Sequence, residues 1–288
     1  MDIVKKSLEL KSQVKKTHIY FIGDLHIGNV NFDRESFKRL IKRISDEEDS
    51  YIVGMGDYLE CININDKRFD PSSIDKTYKI NDLSDFVMIQ ARDFITLMQP
   101  VKHKILTLVS GNHESKFTHV YNVDIFSYIC NQLNVTDKIN NIGILALHLW
   151  LSSNGTKKVL SLYLNHGDGG NGKREGYPLN ILHDVFRWSN CDINIMGHIH
   201  QLVEDHKMFN GVNTTTYKFQ QTKKLYGVSG TFLKTYVQGN QNYFEHKGRF
   251  DSTIGCLRLD IQLTFGANDD SVSKKTIKTL MTLNKVMF

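Results

Sequence analysis

Side chains that commonly bind metal ions stand in short polar blocks along the chain. Asp24 and His26 flank a single leucine, so in an extended backbone both side chains point to the same side and can bind one cation together. His198 and His200 repeat this alternation within the sequence Gly-His-Ile-His. An Asp-x-His pair alone is common, whereas two imidazoles at alternate positions are more specific. Both arrangements indicate a site for metal ions.

Three further blocks add oxygen ligands and groups that can transfer protons. Asp57 follows two glycines, where a carboxylate can bridge two metals if the backbone approaches closely. Asn112 and His113, in Gly-Asn-His-Glu, offer a neutral amide oxygen beside an imidazole. His166 lies in a glycine-rich block whose backbone amides are accessible to an anion. The joint occurrence of the blocks predicts a centre for two adjacent divalent cations.

The blocks follow apolar runs that are predicted to be buried strands, so their polar residues lie at the carboxyl ends of those strands. The predicted strands are residues 18–22, 51–53, 105–109, 159–164 and 193–196. Helical spacing of apolar residues predicts helices over 33–44, capped by Asp33, over 83–98, over 125–133 and from Pro178 onwards. This alternation of strand and helix indicates an α/β core.

Beyond residue 200 the pattern changes. Residues 225–232 and 256–263 are predicted strands of a second, β-rich sheet, with glycines between them. Residues 277–288 are predicted to dock as a short helix. We expect one domain over residues 1–288, with a core from 17 to 265, a loop excursion over 61–80 and a C-terminal tail over 266–288, whose polar part, 268–275, is expected to be partly disordered.

Composition narrows the class of protein. With 40% hydrophobic and 23% charged residues in a chain of 288, the sequence is typical of a globular protein with a substantial core. It contains no run of roughly 18 apolar residues and no apolar secretory leader, so we expect no membrane association and a cytoplasmic location, or the host cytoplasm if the source is viral. Four scattered cysteines favour buried free thiols.

The charge favours anionic partners without identifying one. The formal net charge is +5, but 36 basic residues against 31 acidic ones is not the excess of a dedicated nucleic-acid binder. The sequence therefore permits a phosphate-containing substrate and leaves the oligomeric state open.

Taken in order, the blocks resemble those of the calcineurin-like metallophosphoesterase superfamily: Asp-x-His, Gly-Asp-x-x, Gly-Asn-His-[Asp/Glu], a lone His and Gly-His-x-His. The resemblance runs from residue 23 to residue 200 with no ligand block missing. It implies a four-layer αββα sandwich of two mixed β-sheets. It also implies that the dinuclear metal site lies at the C-terminal edges of the strands.

The resemblance further implies a role for each residue of the blocks. His113 would act as the acid or charge stabiliser that faces the substrate. In two-metal hydrolysis the cations activate water and stabilise the entering and leaving oxygens at phosphorus. Mn²⁺ is the expected metal, with Fe or Zn²⁺ as alternatives. The implied ligands are Asp24, His26 and His200 for the first metal, Asp57 as the bridge, and Asn112, His166 and His198 for the second.

Departures from the family pattern narrow the substrate. Protein Ser/Thr phosphatases of the superfamily usually read Gly-Asp-x-x-Asp-Arg-Gly, whereas Glu60 and Cys61 stand at the Asp and Arg positions here. The missing Arg disfavours that branch. Gly-Asp-x-x-Glu and Gly-His-Ile-His look more like the phosphodiesterase or nuclease-like branch, of the kind found in bacteria and phages, with a nucleotide or nucleic acid as substrate. A phosphomonoesterase, a non-catalytic scaffold like the retromer subunit, and a subunit active only inside a nucleic-acid-processing complex remain alternatives.

Substrate contacts are expected from residues near the predicted strand ends. Basic side chains could bind phosphate oxygens, with solvated surface charge as the alternative. Aromatic rings could stack a nucleobase at the rim, with packing in the core as the alternative. The basic candidates are Lys116, Lys173, Arg174 and the pair Lys67 and Arg68, and the aromatic candidates are Tyr58 and Tyr177.

Overall fold

The computed structural model describes residues 1–10, 16–62, 66, 69–79, 85–151, 156–168, 174, 176–237, 251–266 and 276–288. Within these residues the strands are β1 (Asp2–Leu10), β2 (Thr17–Ile22), β3 (Ser50–Gly54), β4 (Ile105–Leu108), β5 (Ile142–Leu151), β6 (Thr156–Asn165), β7 (Ile193–Met196), β8 (Leu202–Val212), β9 (Phe219–Thr231), β10 (Gly255–Gly266) and β11 (Thr276–Met287). The α-helices are α1 (Arg34–Asp46), α2 (Phe86–Met98), α3 (Asn112–Tyr121), α4 (Ile125–Gln132) and α5 (Tyr177–Phe186). The fold is mixed α/β, and no helix within these ranges is long and apolar enough to cross a membrane.

The strands form one large mixed sheet in the order β1-β5-β6-β7-β9-β10-β2-β3-β4, with β8 added to β9 and β11 added to β10. Strands β2, β3 and β4 are parallel, as are β6, β7 and β9. The first part of the sheet contains β1 and β5 to β9, and the second part contains β2 to β4, β10 and β11. They meet where β9 and β10 pair at only two positions, Thr231 with Gly255 and Gly230 with Cys256. The sheet is therefore almost divided at this junction.

Three separate clusters of buried side chains surround the sheet. The first packs α1, α2 and α4 against strands of the second part, for example Phe37 and Phe94 against Tyr20. The second consists mainly of strand residues from both parts of the sheet, such as Phe21 and Leu162.

The third cluster covers the outer side of the first part. Leu182 and Phe186 of α5 pack there against Met196 of β7 and Val228 of β9. Helices thus bury apolar stripes against both parts of the sheet.

Local sequence explains the helix that follows β2. The Asp33 carboxylate accepts a hydrogen bond from the backbone N–H of Ser36 at 3.1 Å, as an N-cap should. Phe37, Leu40 and Ile44 recur at helical spacing and are fully buried. The predicted helix and its cap are confirmed.

The prediction of a short helix over residues 277–288 is wrong. These residues belong to β11, which pairs antiparallel with β10 along its whole length. Met281 and Leu283 are partly buried against the second cluster, while Leu280 and Thr282, at the alternate positions, are exposed. This alternation is the pattern of a half-buried strand.

Three other segments differ from their predictions or are only partly described by the structure. β1 precedes the predicted core of 17–265 and pairs in parallel with β5. In the predicted loop excursion of 61–80, residues 63–65, 67, 68 and 80 lie outside the described ranges, but Pro71–Ser73 form a short 3-10 helix. Val30 donates a backbone hydrogen bond to Ser73 there. Residues 268–275 also lie outside the described ranges.

Candidate metal centre

The carboxyl ends of four strands bring the ligand-type residues to one edge of the sheet. Asp24 follows β2 and Asp57 follows β3, and these two strands are parallel. His166 follows β6 and His198 follows β7, which are also parallel. Backbone hydrogen bonds join neighbouring ends, from Asp24 N to Gly56 O at 2.9 Å and from Gly197 N to His166 O at 3.0 Å. This is the edge at which open α/β sheets bind ligands.

One group of converging side chains consists of Asp24, His26 and His200. The two imidazole Nε2 atoms lie 3.1 Å apart, and Nε2 of His200 lies 3.4 Å from Asp24 Oδ1. Their ligand atoms all lie within 4.8 Å of one another, and all three residues are buried. A single cation could contact all three.

A second group consists of Asp57, His166 and His198, with Asn112 beside them. Nε2 of His166 lies 3.2 Å from Asp57 Oδ2. The Asn112 amide oxygen lies 3.0 Å from His166 Nε2 and 2.9 Å from His198 Nδ1. Asp57 Oδ2 is also 3.9 Å from His26 Nε2, so this carboxylate lies between the two groups.

His113 lies beside the first group and is held through its backbone and its ring. Its backbone N–H donates to Asp57 Oδ1 at 2.9 Å. Its Nδ1 contacts the carbonyl oxygen of Glu60 at 2.5 Å, and its ring meets the His26 ring edge-on at 4.6 Å between centroids. Because a carbonyl oxygen only accepts, Nδ1 carries the proton, and Nε2 is the nitrogen that can exchange one.

Two glutamates that were not among the predicted site residues also belong to the centre. Glu114 is fully buried and accepts backbone hydrogen bonds from Asp57, Leu59 and Gly111 at 3.0 to 3.2 Å. It therefore ties the loop after β3 to the start of α3. Glu60 lies 3.1 Å from His26 Nδ1 and orients that ring. Their only sequence signals were the fourth position of Gly-Asn-His-Glu and the last of Gly-Asp-x-x-Glu.

The backbone is strained at the same residues. Asp24, His26, Asp57, His198 and His200 have φ angles of 50°, 51°, 50°, 71° and 54°. Left-handed backbone is uncommon outside glycine and costs of order 1 kcal/mol or more for each residue. Such strain persists where the surrounding structure requires a side chain in a particular direction. Here it coincides with five of the seven predicted ligands.

Glycines allow the loops to approach one another. Gly56 has a φ of 92°, and a Cβ there would lie 2.6 Å from His166 Nδ1. A Cβ on Gly111 would lie 2.1 Å from Asp57 N and 2.2 Å from Asp57 Oδ1. Only glycine fits at these two positions, because both contacts are closer than real Cβ atoms make.

Comparison with known proteins gives the family. The sequence model described as calcineurin-like phosphoesterase matches residues 17–202, which contain every ligand-type residue described above. The chain belongs to this family. Its members act on phosphoesters and typically bind divalent metals, and the two convergent groups are candidate ligand clusters of that kind.

Solved structures similar to this family member are distant in sequence. Vps29 of Chaetomium thermophilum is 10% identical, with a TM-score of 0.39 and coverage of 93% of this chain and 98% of that one. An uncharacterised Streptococcus pneumoniae protein described as a predicted phosphoesterase is 11% identical, with a TM-score of 0.34 and coverage of 95% and 99%. Haemophilus influenzae NAD nucleotidase is 10% identical, with a TM-score of 0.37 and coverage of 95% and 54%. No curated protein matches.

The centre of this phosphoesterase-family chain attracts positive charge. Burial disfavours a charged His166 ring, but the Asp57 carboxylate more than offsets this and raises the pKa of His166 to about 10. Burial likewise opposes charge on His26, yet Glu60 and Asp57 raise its pKa to about 9. Burial raises the pKa of Asp24 to about 7, and repulsion from Asp57 adds to this.

Two other imidazoles of the centre have lowered pKa values. Burial and the neighbouring His26 hold the pKa of His200 well below its usual range, and burial lowers the pKa of His113. Once the protons of His26 and His166 are displaced, the imidazoles, carboxylates and amide oxygen of the centre form a donor set suited to Mn²⁺, Fe or Zn²⁺. The residues present therefore fit the divalent cations that the family binds.

The predicted substrate-binding residues differ in their exposure and contacts. The prediction that Tyr58 lies at the rim is wrong, because its side chain is 1% exposed, stacks on Phe94 at 4.8 Å and donates to the Val109 carbonyl. The Lys116 ammonium lies 3.0 Å from the Asp66 carboxylate, and its side chain is 46% exposed. Arg174 is exposed and Tyr177 is partly buried at the start of α5. Lys173, Lys67 and Arg68 lie outside the described residues.

Proposed function

We propose that this chain is a dinuclear-metal hydrolase that cleaves phosphodiester bonds in a nucleotide or nucleic acid. The observation that carries the proposal is the position of Asp57. Its Oδ2 lies 3.2 Å from a ring of one ligand group and 3.9 Å from a ring of the other. A carboxylate shared in this way is the feature that two neighbouring cations require.

The metal assignment follows the two groups of side chains. Asp24, His26 and His200 would hold one cation, Asn112, His166 and His198 the other, and Asp57 both. When bound, the two cations supply Lewis-acid stabilisation of the charge that develops on the phosphoryl oxygens and lower the pKa of water towards neutrality. Mn²⁺ is the preferred ion, because the set mixes oxygen donors with imidazoles.

His113 is assigned as the general acid. The Glu60 carbonyl oxygen holds one proton on Nδ1, so the ring acts as an acid when Nε2 is protonated as well and gives that second proton to the leaving-group oxygen. The contact of its backbone N–H with Asp57 Oδ1 keeps the ring beside the bridging carboxylate. His113 therefore reaches the reacting group without serving as a ligand.

The charge of Glu60 favours a phosphodiester substrate over a phosphomonoester substrate. Protein phosphatases of the superfamily have Asp-Arg where this chain has Glu60 and Cys61. The arginine side chain that would neutralise a dianionic phosphate is therefore missing. The Glu60 pKa is lowered, because His26 and His113 offset the effect of burial, so the carboxylate adds negative charge near the site. A monoester carries about −1.5 to −2 at pH 7, whereas a diester carries only one negative charge. Repulsion therefore penalises the monoester more.

The four-layer arrangement of helices, sheet, sheet and helix is part of the same proposal. It is supported by the three separate buried clusters, of which the second is made mainly by strands of both parts of the sheet. In that arrangement the strand ends after β2 and β3 meet those after β6 and β7 at one edge. Hydrogen bonds from the backbone of His198 to the Asp24 carboxylate, at 3.0 and 3.2 Å, support this meeting.

Turnover with Mn²⁺ tests the proposal. The purified chain is given p-nitrophenyl phosphate, bis-p-nitrophenyl phosphate, cyclic nucleotides, and single- and double-stranded DNA, and its bound metal is measured. We expect the diesters to be cleaved faster than the monoester, and the Asp57→Asn variant to lose both metal and turnover. Inactivity on every substrate with metal bound would overturn the proposal and favour a scaffold. Faster cleavage of the monoester would overturn the diester assignment.

A further inference from the structure

A long hairpin extends from the metal centre. Strands β8 and β9 pair from Leu202 opposite Ser229 out to Val212 opposite Phe219. Parallel β7 accompanies β9 only over Leu225–Val228, so within the described pairings the outer part of the hairpin is two-stranded. We call residues 206–224 the basic arm. At about 3.3 Å per residue, the eleven residues of β8 span roughly 36 Å.

The charge of the basic arm has a single sign. It contains Lys207, Lys218, Lys223 and Lys224, and it contains no Asp or Glu. Lys207 and Lys224 stand directly opposite each other in the pairing, where like charges destabilise a hairpin. Lys224 is buried, so the lysines of the arm that a polyanion could meet are Lys207, Lys218 and Lys223, all of them exposed.

Aromatic side chains lie between these lysines and are exposed. Tyr217 is 86% exposed, Phe219 is 69% exposed and Phe209 is 42% exposed. The other exposed positions of the arm are mostly amides and hydroxyls, namely Asn210, Thr214, Thr215, Thr216, Gln220 and Gln221, with Met208 and Val212 as exposed apolar residues besides the rings. Basic groups alternating with aromatic faces and polar side chains are typical of surfaces that bind single-stranded nucleic acid.

The tip of the arm is a structured turn. Tyr217 N donates to Asn213 O at 2.8 Å, and Asn213 N donates to Lys218 O at 2.9 Å. The Asn213 side chain accepts from the backbone N–H groups of Thr215 and Thr216 at 3.0 Å. Tyr217 is therefore presented from a fixed backbone, which reduces the entropy lost when it stacks on a ligand.

One face of the arm continues onto the end of α5. The Lys224 ammonium lies 4.8 Å from the Phe209 ring centroid and contacts Asn190 Oδ1 at 2.5 Å. Two residues before Asn190, Trp188 is 84% exposed, with the Arg187 guanidinium 5.0 Å from its ring. A second pair of cation and ring thus lies two residues along the chain from the contact between the hairpin and Asn190.

The base of the arm connects this surface to the proposed chemistry. β8 begins two residues after His200, and Thr231 at the end of β9 donates to the Asp24 carbonyl oxygen at 2.7 Å. Both strands of the hairpin therefore end at residues of the metal centre. A strand lying along the arm would lead to the site of cleavage.

From these observations we infer that the basic arm binds single-stranded nucleic acid and guides it to the metal centre. The guiding step rests on the proposed function, whereas the binding does not. A second copy of the chain fits the arm less well, because two such arms would bring like charges together. Val212 and Phe219 form an exposed apolar pair near the tip, but lysines and polar residues occupy most of the arm, so a lipid bilayer also fits it less well.

The anisotropy of a fluorescent 30-nucleotide oligo(dT) measures binding and tests whether the aromatic rings contribute to it. EDTA is present to prevent cleavage. The double variant Tyr217→Ala/Phe219→Ala should raise the Kd at least about tenfold, because each stacked base is worth roughly 5- to 150-fold in affinity. Both side chains are exposed, so the melting temperature should stay as in the wild type. An unchanged Kd would overturn the inference.

The salt dependence of the same binding tests the lysines. Lys218→Gln/Lys223→Gln should reduce the slope of log K against log salt concentration by about 1.4, since each lost contact with a single-strand phosphate removes about 0.7. Lys38→Gln/Lys42→Gln, on exposed positions of α1, makes the same change in charge and should leave the slope unaltered. Equal losses in both variants would overturn an arm-specific role.

Parallel assays keep the two proposals separate. Mn²⁺-dependent turnover of bis-p-nitrophenyl phosphate should be the same in wild type and arm variants, because a small diester does not span the arm. Arm-dependent oligonucleotide binding without turnover of any ester would overturn the proposed function and support the arm. Preference for duplex DNA, binding to anionic phospholipid vesicles instead of oligo(dT), or a dimer lost in the arm variants would each overturn the inference.

Discussion

His113 is held in place beside the metal centre but is not one of the seven proposed ligands. Its backbone contacts Asp57, its Nδ1 contacts the carbonyl of Glu60, and its ring packs on His26. Removing the imidazole takes away one proton donor while the seven proposed ligands keep their own contacts. Catalysis and metal binding should therefore separate at this residue.

We expect His113→Ala to retain both metals and to lose about 10²- to 10⁴-fold in kcat on bis-p-nitrophenyl phosphate, the usual contribution of general acid catalysis. Metal content by mass spectrometry and steady-state kinetics check this. His119→Ala is the matched control, because His119 lies on the same helix with an exposed side chain. Full activity in His113→Ala would remove His113 from the mechanism.

Gly111 offers a steric test of the centre. A methyl group there would lie 2.1 Å from Asp57 N and 2.2 Å from its Oδ1, so the loops after β3 and β4 must separate. We expect Gly111→Ala to lower the free energy of unfolding by about 1–3 kcal/mol and to weaken metal binding. Urea denaturation and metal titration measure the two effects.

Gly211 provides the control for Gly111, since a Cβ at that position would meet nothing within 4 Å. Gly211→Ala should leave both stability and metal affinity within error of the wild type. If Gly111→Ala and Gly211→Ala behave alike, the close packing around Asp57 does not determine the stability or the metal affinity.

At the scale of elements, local patterns predicted the strands that carry the site. Residues 193–196 match β7, and the runs at 18–22 and 51–53 lie within β2 and β3. Buried parallel strands are continuous apolar runs bounded by glycine, which makes them recognisable without an alignment. The closeness of the ligand blocks follows from that arrangement. The individual distances between rings and carboxylates do not, because they depend on packing between distant segments.

Elements at the edges of the sheet were harder to predict. The outer half of β8 has no buried residue, so the period-2 pattern is weak there, whereas β1 does alternate, with Val4, Leu8 and Leu10 buried between exposed positions. β11 has apolar residues at spacings that fit a helix as well as a strand, and its pairing with β10 decides between them. Tyr58 was a candidate for stacking at the rim, whereas its ring packs in the core beside Phe94. Tertiary pairing supplied what sequence could not.

An ion-pair network across two strands gives a prediction at this scale. His18 of β2 stands opposite Asp260 of β10, and the Asp260 carboxylate also accepts two hydrogen bonds from Arg258 at 2.7 and 3.0 Å. Asp260→Asn should lower the free energy of unfolding by about 1.5–3 kcal/mol at pH 7, because hydrogen bonds to charged groups are lost. Urea denaturation at several pH values measures this.

The pH dependence follows from the pKa of Asp260. Burial raises this pKa, but His18 and Arg258 more than offset burial and hold it below the ordinary value of 3.8. The contribution of the carboxylate to stability is therefore complete above pH 3.8 and is lost as the pH falls through the lowered folded value. Wild type and variant should converge in strong acid. Asp137→Asn, at an exposed pair with Lys6, should cost under about 1 kcal/mol; a cost equal to that of Asp260→Asn would contradict the assignment.

At the scale of the molecule, the metal centre lies where the two parts of the sheet are least connected. β9 and β10 pair at only two positions, while His198 of one part donates to the Asp24 carboxylate of the other. Asp24 and His200, from opposite parts, belong to the same ligand group. Cations held by both parts would therefore stabilise the whole fold rather than one loop.

Metal removal should consequently lower the melting temperature of the entire protein in a single transition. A cation that binds only the folded chain at 100 times its Kd adds about 2.7 kcal/mol, which corresponds to about 5–10 °C in a protein of this size. Calorimetry with and without EDTA, and with increasing Mn²⁺, measures the shift. Asp57→Asn should show almost no Mn²⁺-dependent shift. An equal shift in that variant would mean that the stabilising ions bind elsewhere, and two separate transitions would mean that the parts of the sheet unfold independently of the centre.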